Sequence, residues 1–320
     1  MASKIPVIYI LGYGRSGSTL LDRLLGSIRG CVSCGEIIGL WRDVNQANSL
    51  CSCGQKLENC QFWGQIVKSV LAKNGGRLPA SKAEDILSLI SMKRIVPIFF
   101  SRTRSQGFSK AINRFKATTA KLYYHIRDLS GARVIIDSSK HPAYAKLLCE
   151  VESLDVRIIH LVRDSRAVVY SNIRRRLVPN MGYTAVQNPF RTIAGWSIHN
   201  LLANIQQREN KGYFQRIRYE DLSRSPRPML VKVMKDAGLY NELGLTPGHA
   251  LPFFRDANTA CLQLGHVVSG NAFRFVSGDV TVQPDTTWNA ELNLAYKLIA
   301  SILTAPLLKQ YGYRLKWTID

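Results

Sequence analysis

The residues best placed to do chemistry stand in a row near the start: Gly12, Gly14, Arg15, Ser16, Gly17, Ser18 and Thr19, in YILGYGRSGSTLLDRLLGS (9–27). An apolar run from Ile5 to Leu11, broken by Pro6, leads into them, and an apolar-periodic segment follows. A strand, a glycine-rich turn and a helix N-terminus direct free backbone N–H groups and the positive end of the helix dipole at one spot, which suits a phosphate-like group. The spacing is that of a P-loop, G-x-x-x-x-G-K-[ST], with Ser18 where the lysine would stand. Arg15 is the cation inside this loop.

A second anion site is expected in RIIHLVRDSRAVVYSNIRRR (157–176), where a buried strand ends and Arg163 and Asp164 stand at its carboxyl end. Arg163 with the Ser171 hydroxyl has the donors for a phosphate dianion. The competing reading is a surface salt bridge between Arg163 and Asp164. A third element, RIRYEDLSRSP (216–226), puts Tyr219 at a strand end, where it can stack on a base, with Glu220 and Asp221 capping the next turn.

The elements that must position these groups alternate between strand and helix, the order of an α/β fold with a parallel sheet. Strands are expected at 5–11, 133–136, 156–162 and 213–218, and helices near 19–29, 142–151, 165–176, 189–209, 226–237 and 289–304. Residues 60–130 read as mainly helical and carry the basic run SRTRSQGFSKAINRFK. They are expected to form an insertion on the ligand edge of the sheet, as acceptor pocket or lid; plain surface helices are the alternative. The whole chain, 1–320, reads as one domain with no internal repeat.

Forty-three Lys and Arg against 22 Asp and Glu give a net charge of +21, which points to an anionic partner. No secretory leader or membrane-span pattern is read, so a cytosolic protein, at most bound to a membrane face, is expected. Cys31, Cys34, Cys51, Cys53 and Cys60 cluster early among seven cysteines. Free thiols, a structural zinc and a disulfide such as Cys53–Cys60 all remain open, with no histidine nearby in sequence.

Together these segments resemble the PAPS-dependent sulfotransferases, whose donor is 3′-phosphoadenosine 5′-phosphosulfate. GYGRSGSTLL resembles that family's 5′-phosphosulfate loop, LVRDSRAVVYS its 3′-phosphate motif through Arg163 and Ser171, and RYEDL its adenine-side motif through Tyr219. GHVVSGNAFRF (265–275), followed by DTTW (285–288), is similar to a loop of bacterial members that closes over the nucleotide; this implies contacts from Asn271 and Arg274 to the 3′-phosphate or ribose. The resemblance implies a P-loop-like α/β domain, central parallel sheet flanked by helices, with PAPS as co-substrate and no metal required for catalysis.

Sulfuryl transfer to a hydroxyl needs a base, stabilisation of the leaving phosphate and alignment of the acceptor oxygen. Backbone N–H groups of 14–19 with Arg15, Ser18 and Thr19 are expected to serve the leaving group. For the base the reading favours Glu36 in CVSCGEIIGLW, since tyrosylprotein sulfotransferases carry a similar Cys-Gly-Glu. His141 in VIIDSSKHP is the rival, and Lys140 is placed to bind the bridging or sulfate oxygens. The acceptor is expected to bear a hydroxyl, with a carbohydrate or glycolipid favoured and an anionic glycan, lipid surface or acidic peptide suited to the basic run. A P-loop kinase or triphosphatase, with Asp137 as a metal carboxylate, and a basic nucleic-acid-binding protein are the competing classes, though no nucleic-acid motif is present.

Overall fold

A computed structural model describes residues 3–46, 49–70, 86–91, 94–101, 104–175, 177–178, 182–183, 185–210, 212–246 and 251–315. The first strand, β1 (Ile5–Gly12), runs through the middle of a five-stranded sheet. Helix α1 (Ser18–Gly26) carries the chain to a three-residue edge strand, β2 (Cys31–Ser33), and α2 (Ile37–Asp43) follows. After α3 (Trp63–Val70), α4 (Ile95–Phe99) and the long α5 (Gln106–Ser130), strand β3 (Val134–Lys140) fills the space between β1 and β2. Helix α6 (Pro142–Cys149) leads to β4 (Leu154–Val162) on the other side of β1. Then come α7 (Ser165–Ile173), a two-residue hairpin, β5 (Leu177–Val178) with β6 (Gly182–Tyr183), and α8 (Pro189–Glu209). Strand β7 (Phe214–Arg218) closes the sheet next to β4.

All four pairings within this sheet are parallel, in the order β2-β3-β1-β4-β7. The chain moves to one side of β1 and then to the other, so the order reverses at the carboxyl end of β1. That crevice is where open α/β sheets bind ligands. The α/β architecture expected from the alternating pattern is therefore present, and β2 is the strand of this sheet that the expectation lacked: three residues are too short to show a period.

Both faces of the sheet are covered, which is why its strands read as continuous apolar runs. Val7, Tyr9 and Leu11 face one core with Ile135 and Ile158. Ile8 and Ile10 face the other with Val134, Ile136, Ile159 and Leu161. Helix α5 belongs to the first of these layers: Phe115, Tyr123 and Ile126 are fully buried, and the Tyr123 hydroxyl bonds the Asp137 carboxylate beneath β3. Residues 106–130 thus pack on the face of the sheet. A 3.6-residue apolar stripe shows that a helix is covered but not by what, and here the cover is the sheet itself.

The C-terminal third adds α9 (Tyr219–Arg224), α10 (Pro226–Asp236), α11 (Leu239–Glu242) and a hairpin of β8 (Thr259–Leu262) with β9 (Gly278–Thr281). It ends with α12 (Trp288–Glu291) and α13 (Leu294–Gln310), two helices where one was expected over 289–304. No described helix is long and apolar enough to cross a membrane.

Candidate active site

A cleft of about 870 Å³ opens at the carboxyl ends of β1, β3 and β4. The turn after β1 forms its floor. Gly12 has no room for a side chain, since a Cβ there would meet the Leu161 carbonyl of β4 at 2.5 Å. Arg15 (φ 66°) and Gly17 (φ 89°) both adopt the left-handed region, which winds the turn tightly enough for α1 to start at Ser18. Its first turn bears no acidic residue, so its unpaired N–H groups keep their positive field. Ser16, Ser18 and Thr19 are buried beside them, and the Ser16 hydroxyl has no hydrogen-bond partner among the described residues.

Arg163 forms one wall. It follows β4 directly and is 6% exposed. One guanidinium nitrogen donates to the Arg15 carbonyl at 3.0 Å and the other to Asp285 at 2.9 Å. Its Nε is buried and unpartnered among the described residues. The guanidinium lies 4.4 Å from the centre of the Tyr219 ring, whose edge fills the space over Gly17. One face of Tyr219 is therefore taken by Arg163. Burial works to raise the Asp285 carboxyl, but the bond and charge of Arg163 outweigh it and hold the group below the usual carboxylate range. Asp164 pairs with Arg166 at 2.6 Å and caps α7, so the Arg163–Asp164 salt bridge does not form. Ser171, two turns into α7, is buried and lines the same cleft.

The opposite wall carries Glu36, Lys140 and His141. Between Tyr9 and Leu11 the register of β1 against β3 slips, bringing Lys140 opposite Leu11 with φ 67°. This bulge aims the end of β3 into the cleft. The Lys140 ammonium bonds the Ser138 carbonyl at 3.2 Å and makes a close ion pair with Glu36. Both side chains are mostly sheltered, at 14% and 24% exposure. Glu36 sits at the start of α2, fixed through its backbone N–H to the Val268 carbonyl at 2.9 Å. Gly270 (φ 86°) covers it; a Cβ there would come within 2.9 Å of the Glu36 carboxylate.

His141 has its carbonyl held by the Tyr9 hydroxyl at 2.9 Å and its ring edge-on to His199 at 5.7 Å. Its Nδ1 is buried without a partner among the described residues. Burial first, then the neighbouring His199, lowers its pKa to about 3, so it is a neutral imidazole.

The segment 265–275 meets the cleft in part. Asn271 lines the cleft, its side-chain oxygen accepting the Phe273 N–H at 3.0 Å. Arg274 does not: it is buried, donates to the Gly270 carbonyl at 2.7 Å and lies over Phe275. None of the described residues from 60 to 130 lines the cleft. Asp137, the metal carboxylate of the kinase reading, is fully buried, bonded by the Ser139 N–H at 2.8 Å and by the Tyr123 hydroxyl, and lies outside the lining.

Three contributors escaped the sequence reading. Asp22, buried on α1, accepts the Ser33 hydroxyl and the Gly35 N–H and so holds the turn that presents Glu36. Arg23, beside it, donates to the carbonyls of Gln263, Phe273, Arg274 and Val276 and pins the covering loop to the first helix. Asp285 anchors Arg163. Only Asp285 had a local sign, the DTTW run.

The early cysteines separate into two groups. Cys31 lies in β2 and Cys34 just beyond it, whereas the thiols of Cys51, Cys53 and Cys60 converge with His266, a residue more than 200 positions downstream. All seven cysteines are unlinked, so the suggested Cys53–Cys60 disulfide is absent.

Comparison with known proteins agrees with this arrangement. A model of the sulfotransferase family matches residues 6–242. The sulfotransferase domain from the Synechococcus PCC 7002 olefin synthase is similar in fold, with a TM-score of 0.54 at 20% identity over 99% of this chain and 98% of that one. The sulfotransferase domain from the curacin biosynthetic pathway gives a TM-score of 0.52 at 20% identity over 98% and 100% of the two chains. No curated protein matches the chain significantly. The glycine turn without the P-loop lysine, at the crevice of a parallel sheet, thus lies within the matched region, and the chain belongs to the sulfotransferase family.

Proposed function

We propose that the chain transfers the sulfuryl group of PAPS to a hydroxyl of its acceptor, with Glu36 as general base. The observation that carries this is the Glu36–Lys140 ion pair facing the cleft across from the glycine turn. Family membership implies PAPS as co-substrate. The donors fit its anionic groups: Ser16 Oγ and Arg163 Nε are buried hydrogen-bond donors with no protein partner among the described residues. The turn at 14–19 would hold the 5′ side and Arg163 with Ser171 the 3′-phosphate. Asn271 would add to the ribose side, and Tyr219 would set the position of Arg163 more than stack on the base.

In the transfer, the acceptor O–H gives its proton to the Glu36 carboxylate as its oxygen bonds sulfur. The bond from sulfur to the 5′-phosphate oxygen breaks, and its electron pair leaves with the phosphate. Protonation of Glu36 discharges its ion pair, so the Lys140 ammonium is released to the sulfuryl oxygens at the moment charge moves there. Arg15 and the α1 N–H groups receive the charge growing on the phosphate. His141 is disfavoured as the base, because burial lowers its pKa to about 3 and so opposes formation of the imidazolium.

A nucleotide kinase is disfavoured by Ser18 in place of lysine and by the burial of Asp137. The described part of the basic run gives no support to an anionic acceptor, since Arg104 and Lys116 pair with Glu150 away from the cleft. The acceptor is therefore proposed as a hydroxyl compound without further class. Calorimetric titration with 3′-phosphoadenosine 5′-phosphate in EDTA, beside AMP and ATP, tests the donor site. Tight, metal-independent binding that needs the 3′-phosphate is expected; a preference for Mg-ATP overturns the proposal.

A further inference from the structure

Away from the cleft, three thiols and one imidazole meet at a single point. Cys51, Cys53, Cys60 and His266 place their ligand atoms within 4.8 Å of one another. Cys53 and Cys60 sulfurs are 3.8 Å apart, and His266 Nδ1 is 3.3 Å from Cys60 and 3.7 Å from Cys51. Tetrahedral zinc, with Zn–S of about 2.3 Å and Zn–N of about 2.0–2.1 Å, sets its ligands about 3.8 Å apart for a sulfur pair and about 3.5 Å for a sulfur–nitrogen pair. The three separations fall at those edges. We infer that these four side chains bind one structural Zn²⁺.

The surroundings are built for such a site. Residues 51–54 make a tight turn, with the Gly54 N–H bonded to the Cys51 carbonyl at 2.9 Å and Gly54 at φ 86°. The backbone N–H of Trp63 points at Cys60 Sγ at 3.5 Å, the kind of donor that stabilises a metal thiolate. The His266 ring is fixed by stacking on Phe62, centroids 5.2 Å apart, and its carbonyl is held by the Trp63 indole N–H. Cys51 and Cys60 are fully buried, Cys53 and His266 half-buried, and four protein ligands leave no open coordination position, as in structural zinc sites. Three sulfurs and one imidazole select zinc over hard, oxygen-seeking cations. Binding exchanges three thiol protons for one Zn²⁺, and no electron moves.

The metal joins two segments far apart in sequence. Ser52 already ties them, donating to the Gly265 carbonyl at 2.7 Å and accepting the Val267 N–H at 2.7 Å. The held segment continues into Val268, which fixes Glu36, and Gly270, which covers it. Zinc therefore clamps the loop that seats Glu36.

The test uses the full chain expressed in minimal medium and purified without chelator. Elemental analysis is expected to find about one zinc per chain. Growth with Co²⁺ in place of zinc is expected to give the intense visible bands of tetrahedral cobalt with near-ultraviolet thiolate charge transfer. Cys53→Ser and His266→Ala are each expected to lose most of the metal, while Cys31→Ser and Cys261→Ser keep it. In the wild type, chelation is expected to raise hydrogen exchange over 265–271 at least several-fold. Wild-type protein without bound metal, a Cys53–Cys60 disulfide found by peptide mapping, a cobalt spectrum lacking charge transfer, or full metal in Cys53→Ser overturns the inference. These readouts are independent of sulfuryl transfer.

Discussion

Replacing Gly17 by alanine strikes the contact between the glycine turn and Tyr219. Two separable terms set the size of the effect. The backbone at φ 89° is left-handed, which costs an L-residue about 1–2 kcal/mol. The new Cβ would also lie 2.4 Å from Tyr219 Cδ2, and the ring cannot swing freely because Arg163 lies 4.4 Å from its centre. Overpacking of this kind costs about 1–3 kcal/mol. Gly17→Ala is thus expected to lose about 2–5 kcal/mol in urea unfolding and to weaken 3′-phosphoadenosine 5′-phosphate binding through the displaced Arg163. The terms are parted by a double-mutant cycle. In a Tyr219→Ala background the clash is gone, and Gly17→Ala is expected to cost only the backbone term, about 1–2 kcal/mol. Equal cost in both backgrounds would refute the packing argument, and no cost in the wild type would refute the turn geometry itself.

Glu36→Gln is expected to lower turnover by about 10²–10⁴ while nucleotide affinity in calorimetry stays within a few-fold, and a fully active variant would sink the carboxylate base. Arg23→Ala removes donors from four loop carbonyls and is expected to speed hydrogen exchange across 263–276; unchanged protection there would show that the clamp is redundant. Asp22 has its pKa raised to about 7, by burial first, so the folded protein binds a proton that the unfolded chain has lost above about pH 4. That contribution is full below about pH 4 and disappears as pH rises through 7, so the stability advantage of wild type over Asp22→Asn is expected to shrink over that window by up to about 4 kcal/mol. An advantage that grew with pH in urea titrations would reverse the sign of the argument.

What was legible in the sequence was local. Gly12 to Thr19 announced itself because strand, turn and helix start lie within one short run, and each constraint acts on neighbours. Arg163 was readable because a buried strand ends one residue before it. Glu36 needed the family resemblance, for nothing near it shows that Lys140 and Gly270 will close around it. Asp22, Arg23 and His266 were not legible, since their partners lie from 11 to 253 positions away and a buried acid or arginine on an amphipathic helix looks like surface charge. How helix α5 packs was hidden for a related reason: its apolar stripe fits a lid or a sheet cover equally well.

The grip of Arg23 on Gln263 to Val276 also says something about how the protein is born. At about 5–20 residues per second, the ribosome releases the glycine turn long before the segment that covers it. A nascent chain can set β1 beside β3 and β4 once residue 162 has emerged, yet the cover, Asp285 and the partner of Cys60 arrive more than 100 residues later. Until then the early thiols and the glycine turn stand open to solvent or to a chaperone. The covering loop is thus withheld from incomplete chains, and a translation product that stops short of Gln263 would hold the residues matched by the family model, 6–242, without the loop that packs over Glu36.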